Sequence, residues 1–195
     1  MVEKMVARIV NELLFEKIID EDQRDDYEYA IICQVESFIT IISILALSIL
    51  AKRIISTIGF LISFFSLRKR TGGYHLNSFL SCYIGTLCVY GIVIYFCNRA
   101  GDNLMCMEIL AAIASMCIFV IGTVNHPNMH MNSVEVKESK KAARLILFVE
   151  LCIIVFLIQM KVKAIIISCC FSGIIVCAAL LLIAKIIGQE VKSDE

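Results

Sequence analysis

The residues best equipped for chemistry lie within one short run, RKRTGGYHLNSFLSC (68–82). It holds three cations, the adjacent Gly72 and Gly73, then His75 and Cys82. A cysteine attacks as thiolate and needs a neighbouring base to form it. Histidine suits that task because its ordinary pKa lies near neutrality. Arg68, Lys69 and Arg70 would favour the anionic sulfur and attract an anionic part of a substrate. The set therefore offers nucleophilic catalysis by a Cys–His pair.

Spacing sets a geometric demand on that pair. Seven residues of ideal helix turn about 700°, which puts His75 and Cys82 on one face, yet they rise about 10.5 Å. A working base must come within about 3 Å of its proton. Cys82 leans toward the N-terminus of its helix, which closes part of the gap. The rest requires irregular backbone around 71–77, and Gly72 and Gly73 supply the freedom. His75 is thus expected at or before the start of the helix that carries Cys82, folded over toward the thiol. Such backbone at membrane depth is tolerated only where protein or water satisfies it. The residues alone leave a second reading open. Cations mark membrane boundaries, paired glycines make turns, and one of ten cysteines falls near a histidine by chance.

The elements that must position these groups are apolar helices. The chain is 59% hydrophobic with mean hydropathy +0.85, and one proline and nine glycines interrupt the apolar runs. An ordinary soluble domain is about 45–50% apolar. The implied solvent is a lipid bilayer, and the expected fold class is all-α, a polytopic membrane protein forming a single membrane domain over 1–195. Six apolar segments run about 29–51, 54–67, 76–97, 104–124, 144–160 and 164–187. The second is short for the roughly 20 residues a bilayer needs, so it must extend through its flanks or sit against protein.

Residues 1–19 read as an amphipathic interfacial helix. Val6, Ile9, Val10, Leu13 and Leu14 share one face, and Arg8, Glu12 and Glu16 lie mostly on the other. Periodicity leaves two roles open for it: packing on the rest of the protein, or lying on the inner leaflet to receive a substrate helix.

Lysine and arginine set the orientation. With both termini cytoplasmic, thirteen of the eighteen Lys and Arg fall inside, leaving Lys52, Arg53, Arg99, Lys161 and Lys163 outside. The same arrangement puts 68–75 and 125–143 on one side of the membrane. Net charge is zero, which gives no field for steering nucleic acid. The hairpins at 51–53 and 161–163 hint at a related construction.

The remaining polar groups carry less. Most cysteines lie inside apolar runs and act there as small hydrophobes. Glu36 and Glu150 are intramembrane carboxylates, a costly placement. Either could orient His75 as a third group or serve in a structural pair. His126 and His130 form HxxxH, but Pro127 breaks the helix that would let them share a metal. No metal or other cofactor is expected.

The 68–82 run resembles the signature of the AgrB family, membrane peptidases that mature cyclic autoinducing peptides in Gram-positive bacteria. Arg68, Lys69, Gly72, Gly73, His75 and Cys82 occupy the family's places. The stretch VNHPNMHMNSVEVKESKKAAR (124–144) resembles, more loosely, the family's proline-containing loop and lysine-rich run. The resemblance implies His75 and Cys82 as the catalytic pair. It gives Lys137, Lys140 and Lys141 a substrate-handling role. It implies cleavage of an AgrD-like precursor peptide through an acyl-thioester on Cys82, with (thio)lactone ring closure. A multi-pass cell-membrane location and a homodimer are family-level expectations. The rival class is a non-enzymatic membrane protein, a small transporter or helper subunit, which would leave the His–Cys pair unused.

Overall fold

The structure, a computed structural model, describes residues 2–72, 79–99, 104–125 and 131–188. Among them are seven α-helices and a 3-10 turn, with no strand: α1 (Val2–Phe15), the turn Glu21–Gln23, α2 (Arg24–Leu50), α3 (Ile54–Thr71), α4 (Phe79–Arg99), α5 (Leu104–Ile121), α6 (Ser133–Gln159) and α7 (Ala164–Ile187). Five of them, α2 and α4 to α7, are long and apolar enough to cross a membrane. The all-helical membrane architecture expected from the sequence is therefore present. Residues 1–43 and 44–195 form two compact units.

In the first unit, α1 buries Val6 and Val10 with Ile19, and Leu13, Leu14, Ile31 and Ile32 pack against them. The amphipathic face thus packs on protein through one stripe. Met5, Ile9 and Phe15 of the same helix remain exposed. Arg24 donates a hydrogen bond to Asn11 Oδ1 at 3.1 Å, tying the start of α2 back to α1.

The second unit is built around α7, which touches α3, α4, α5 and α6. The α3–α7 contact is close because small residues meet there. A Cβ on Gly173 would lie 2.8 Å from Ser63 Cβ and 2.9 Å from the Phe64 nitrogen. Lipid gives helices no hydrophobic reason to associate, so close van der Waals approach at small residues must hold them. α3, which carries the second of the six expected transmembrane segments, is not among the five helices long and apolar enough to span. The helix continues four residues beyond Leu67 to Thr71, and it lies against α7 and α6. Outward faces are apolar, with Ile92, Phe96, Ile113, Met116, Phe148 and Phe156 exposed. Such a surface suits hydrocarbon, not water.

One feature differs from the sequence expectation. α6 begins at Ser133, not near 144, so the lysine-rich run is helical. Asn132 caps it, accepting from the amides of Val134 and Glu135 at 3.0 and 2.9 Å, while Glu135 Oε2 accepts from the Asn132 amide at 2.8 Å. That capping box starts a helix of Glu, Lys and Ala, all good helix formers. The hairpins at 51–53 and 161–163 do share a construction. Lys52 and Lys161 both adopt φ 55°. In each, that lysine amide and the next amide bond back to the helix, Lys52 to Ile49 and Arg53 to Ser48, Lys161 to Ile158 and Val162 to Leu157. These are Schellman caps with lysine where glycine is usual.

Candidate functional site

The cations of the 68–82 run close α3. Arg68, Lys69 and Arg70 form its last turn, and Gly72 follows as its cap with φ 64° and ψ −127°. That conformation is open to glycine and poor for any residue with a Cβ. The Gly72 amide donates to the Arg68 carbonyl at 3.2 Å, and the Arg68 guanidinium in turn donates to the Gly72 carbonyl. The first cation of the run thus acts as a cap. Most of the 71–77 stretch, where the spacing of His75 and Cys82 asks for irregular backbone, lies outside the described residues. Gly73 and His75 themselves lie outside the described residues, as do His126 and His130.

A helix leaves its last four carbonyls without intrahelical partners. Two of those in α3 are satisfied from more than fifty residues away. The Val124 amide donates to the Thr71 carbonyl at 3.0 Å, and the Thr123 hydroxyl donates to the Arg70 carbonyl at 2.8 Å. Thr71, Thr123 and Val124 are fully buried. The Thr71 hydroxyl donates to the Leu67 carbonyl at 3.1 Å and lies 3.2 Å from the Cys177 sulfur of α7. The contact is close enough to exclude a side chain, since a Cβ on Gly72 would lie 2.8 Å from the Val124 carbonyl oxygen.

The segment after α5 also reaches α6. At Gly122, φ is 76°, and a Cβ there would lie 2.8 Å from Lys140 Cγ. Asn125 donates to the Met131 carbonyl at 3.0 Å and accepts from its amide at 3.3 Å. Arg144 donates to the Phe119 carbonyl at 3.0 Å and stacks over its ring. The two polar stretches singled out in the sequence therefore meet at one end of the unit. The hairpins around Lys52 and Lys163 meet at the opposite end of α3 and α7. Between the polar stretches opens a cleft of about 460 Å³, lined by Arg70, Met131, Glu135, Glu138, Ser139 and Ala142. Lys69, Lys137 and Lys141 are exposed, while Lys140 is half-buried with its stem on Gly122.

Cys82 lies in the first turn of α4, half-buried, and its carbonyl accepts from the Thr86 hydroxyl at 2.8 Å. Two polar contacts fix α4 in the unit. Tyr90 shares a hydrogen bond of 2.8 Å with Thr57 of α3, and Cys97 lies 3.3 Å from the Ser172 hydroxyl of α7. Glu150 is buried and hydrogen-bonded through Oε1 to Ser66 of α3. Its Oε2 has no partner among the described residues. Glu36 lies on α2, in the first unit, and its carbonyl accepts from Thr40 at 2.8 Å.

A family profile described as AgrB, accessory gene regulator B, matches residues 2–190. The chain belongs to the AgrB family. The match spans nearly the whole chain, including both polar stretches. Membership supports a role in processing an autoinducing peptide, in a membrane setting and with an AgrD-like precursor as substrate. No curated protein and no solved structure matches the chain.

Sequence reasoning missed Thr123, Val124 and Ser66. Thr123 and Val124 were absorbed into the end of an apolar segment. The signal available was Gly122, which ends α5 at Ile121 and turns the following Thr–Val–Asn out of helix.

Proposed function

We propose that this AgrB-family chain is a membrane cysteine endopeptidase that cleaves the C-terminal tail from an AgrD-like precursor and promotes ring closure. The joining of residues 70–72 to 122–125 beside a charged cleft carries this reading. It gathers the cations of one family-like stretch and the helical lysines of the other at one end of the unit.

In this mechanism the precursor docks from the cytoplasmic side, both termini of the protein being cytoplasmic, in the membrane of a Gram-positive bacterium. The exposed stripe of α1 rests on the inner leaflet. Lys69, Lys137 and Lys141 hold anionic groups of the precursor tail, and Arg68 and Gly72 shape the turn that leads to His75. His75 takes the proton from Cys82. The sulfur attacks the carbonyl of the last residue of the future ring; the C–N bond to the tail breaks and the tail leaves as an amine carrying the proton from His75. The thioester keeps the acyl group activated, so a cysteine or serine of the precursor can displace Cys82 and close a thiolactone or lactone. Backbone amides of the glycine turn would stabilise the oxyanion. The protein acts as one membrane domain, and a homodimer is its expected assembly.

The test is co-expression with a doubly tagged precursor. The expected result is a released tail and a cyclic product that depend on His75 and Cys82. Intact precursor under all conditions would instead favour the transporter or helper reading.

A further inference from the structure

We propose that Thr123 is a positioning residue for the Cys82 reaction: with the Val124 amide it caps α3 and fixes the point from which the chain departs toward His75. The inference rests on the peptidase reading above and adds to it a residue outside the signature run.

The capping of α3 is unusual in origin. A helix that ends in glycine commonly satisfies its last carbonyls through the next one or two amides of the same chain. Here the Gly72 amide donates to the Arg68 carbonyl. The Arg70 and Thr71 carbonyls take their partners from Thr123 and Val124. Both donors are buried, so water does not replace them if they are lost. The Gly72 backbone also lies so close to Val124 that a Cβ there would be 2.8 Å from the Val124 carbonyl oxygen. Residues 123 and 124 thus hold the end of α3 at Arg70 and Thr71, and Gly72 lies three positions before His75 in the sequence.

A base that must lie within hydrogen-bond reach of a thiol is sensitive to such a setting. A misplacement of about 1 Å from a remote change can lower a rate about a hundredfold. The same segment bears on the lysine-rich helix, because Gly122 packs on the stem of Lys140. The precursor-holding helix and the catalytic turn therefore share one support.

The test compares Thr123→Val, which keeps the shape and removes the donor, with Thr123→Ser, which restores it. Full-length protein in lipid vesicles is assayed in two ways. One is the kcat and KM of tail release. The other is the rate at which iodoacetamide alkylates Cys82, read by mass spectrometry of the peptide that contains it, with no precursor present. The expected result for Thr123→Val is a drop of about tenfold or more in kcat and in alkylation rate, with KM unchanged within about twofold. Thr123→Ser should recover both rates. Thr123→Ala serves as the second probe if the valine variant does not fold, with the same expectations. Alkylation and kcat within about twofold of wild type, or a rise in KM alone, would overturn the proposal. If wild-type protein releases no tail while Thr123→Val still slows alkylation, the positioning role stands and the peptidase reading fails.

Discussion

The amide of Val124 donates to the carbonyl of Thr71 at 3.0 Å, joining two polar stretches that the sequence separates by 53 positions. The bond caps α3, and it brings the signature run and the lysine-rich helix to the same end of their unit. The junction also brings Arg70 to the cleft that Glu135, Glu138 and Ser139 of the lysine-rich helix line from the other side.

Gly72 is the residue least replaceable within it. An alanine would need φ near 64° and would put its Cβ 2.8 Å from the Val124 carbonyl oxygen. Backbone forced into such a region costs about 1–3 kcal/mol. Gly72→Ala should lower tail release at least about tenfold and destabilise the protein by that amount, measured by thermal unfolding in detergent. Wild-type activity in this variant would mean that the turn is not held as described.

The α3–α7 contact makes a matched pair of predictions. A valine at Gly173 meets Ser63 and the Phe64 backbone under 3 Å, whereas a Cβ at Gly91 meets nothing within 4 Å. Gly173→Val should lose about 1–3 kcal/mol of stability through overpacking. Gly91→Val, on an exposed face of α4, should change stability by less than about 1 kcal/mol. Equal effects at the two positions would contradict the central placement of α7.

Glu150 discriminates a structural from a catalytic carboxylate. Its hydrogen bond to Ser66 ties α6 to α3 and gives the buried carboxyl a partner. Glu150→Gln preserves that bond and should retain tail release within about threefold, since a neutral amide fills the same place. A third catalytic group replaced by its amide has cost about ten-thousandfold in a Ser–His–Asp enzyme. A loss of that order here would make Glu150 the orienting group. Ser66→Ala should destabilise the fold by about 1–3 kcal/mol by leaving the carboxyl unpartnered.

The two lysine-capped hairpins predict a gain. Lys52 and Lys161 hold φ 55°, where a Cβ is crowded. Lys52→Gly and Lys161→Gly should each raise stability by about 0.5–1 kcal/mol in chemical unfolding, without loss of tail release.

Much of this fold was legible because lipid is a strict solvent. Continuous apolar runs such as 104–121 and 164–187 have few structures open to them, so their helices follow from composition. The amphipathic start was legible from the 3.6-residue spacing of Val6, Val10 and Leu13. The true start of α6 was not, because a charged, capped stretch of helix reads as a polar loop when hydropathy is the guide. Nor was the capping of α3 by Thr123 and Val124. A backbone hydrogen bond between distant segments leaves no pattern in either one. For the site, the end of α3 at a glycine was legible from Gly72 and Gly73, and Gly72 has the positive φ that glycine allows, while the approach of His75 to Cys82 lies outside the described residues.

The central claim is that the Cys82 sulfur performs the attack. The most direct measurement is release of a C-terminally tagged tail from co-expressed precursor, in wild-type protein and in Cys82→Ala, with both proteins confirmed at equal levels in the membrane. The expected result is tail release by the wild type and none by the variant. Equal release by both would contradict it.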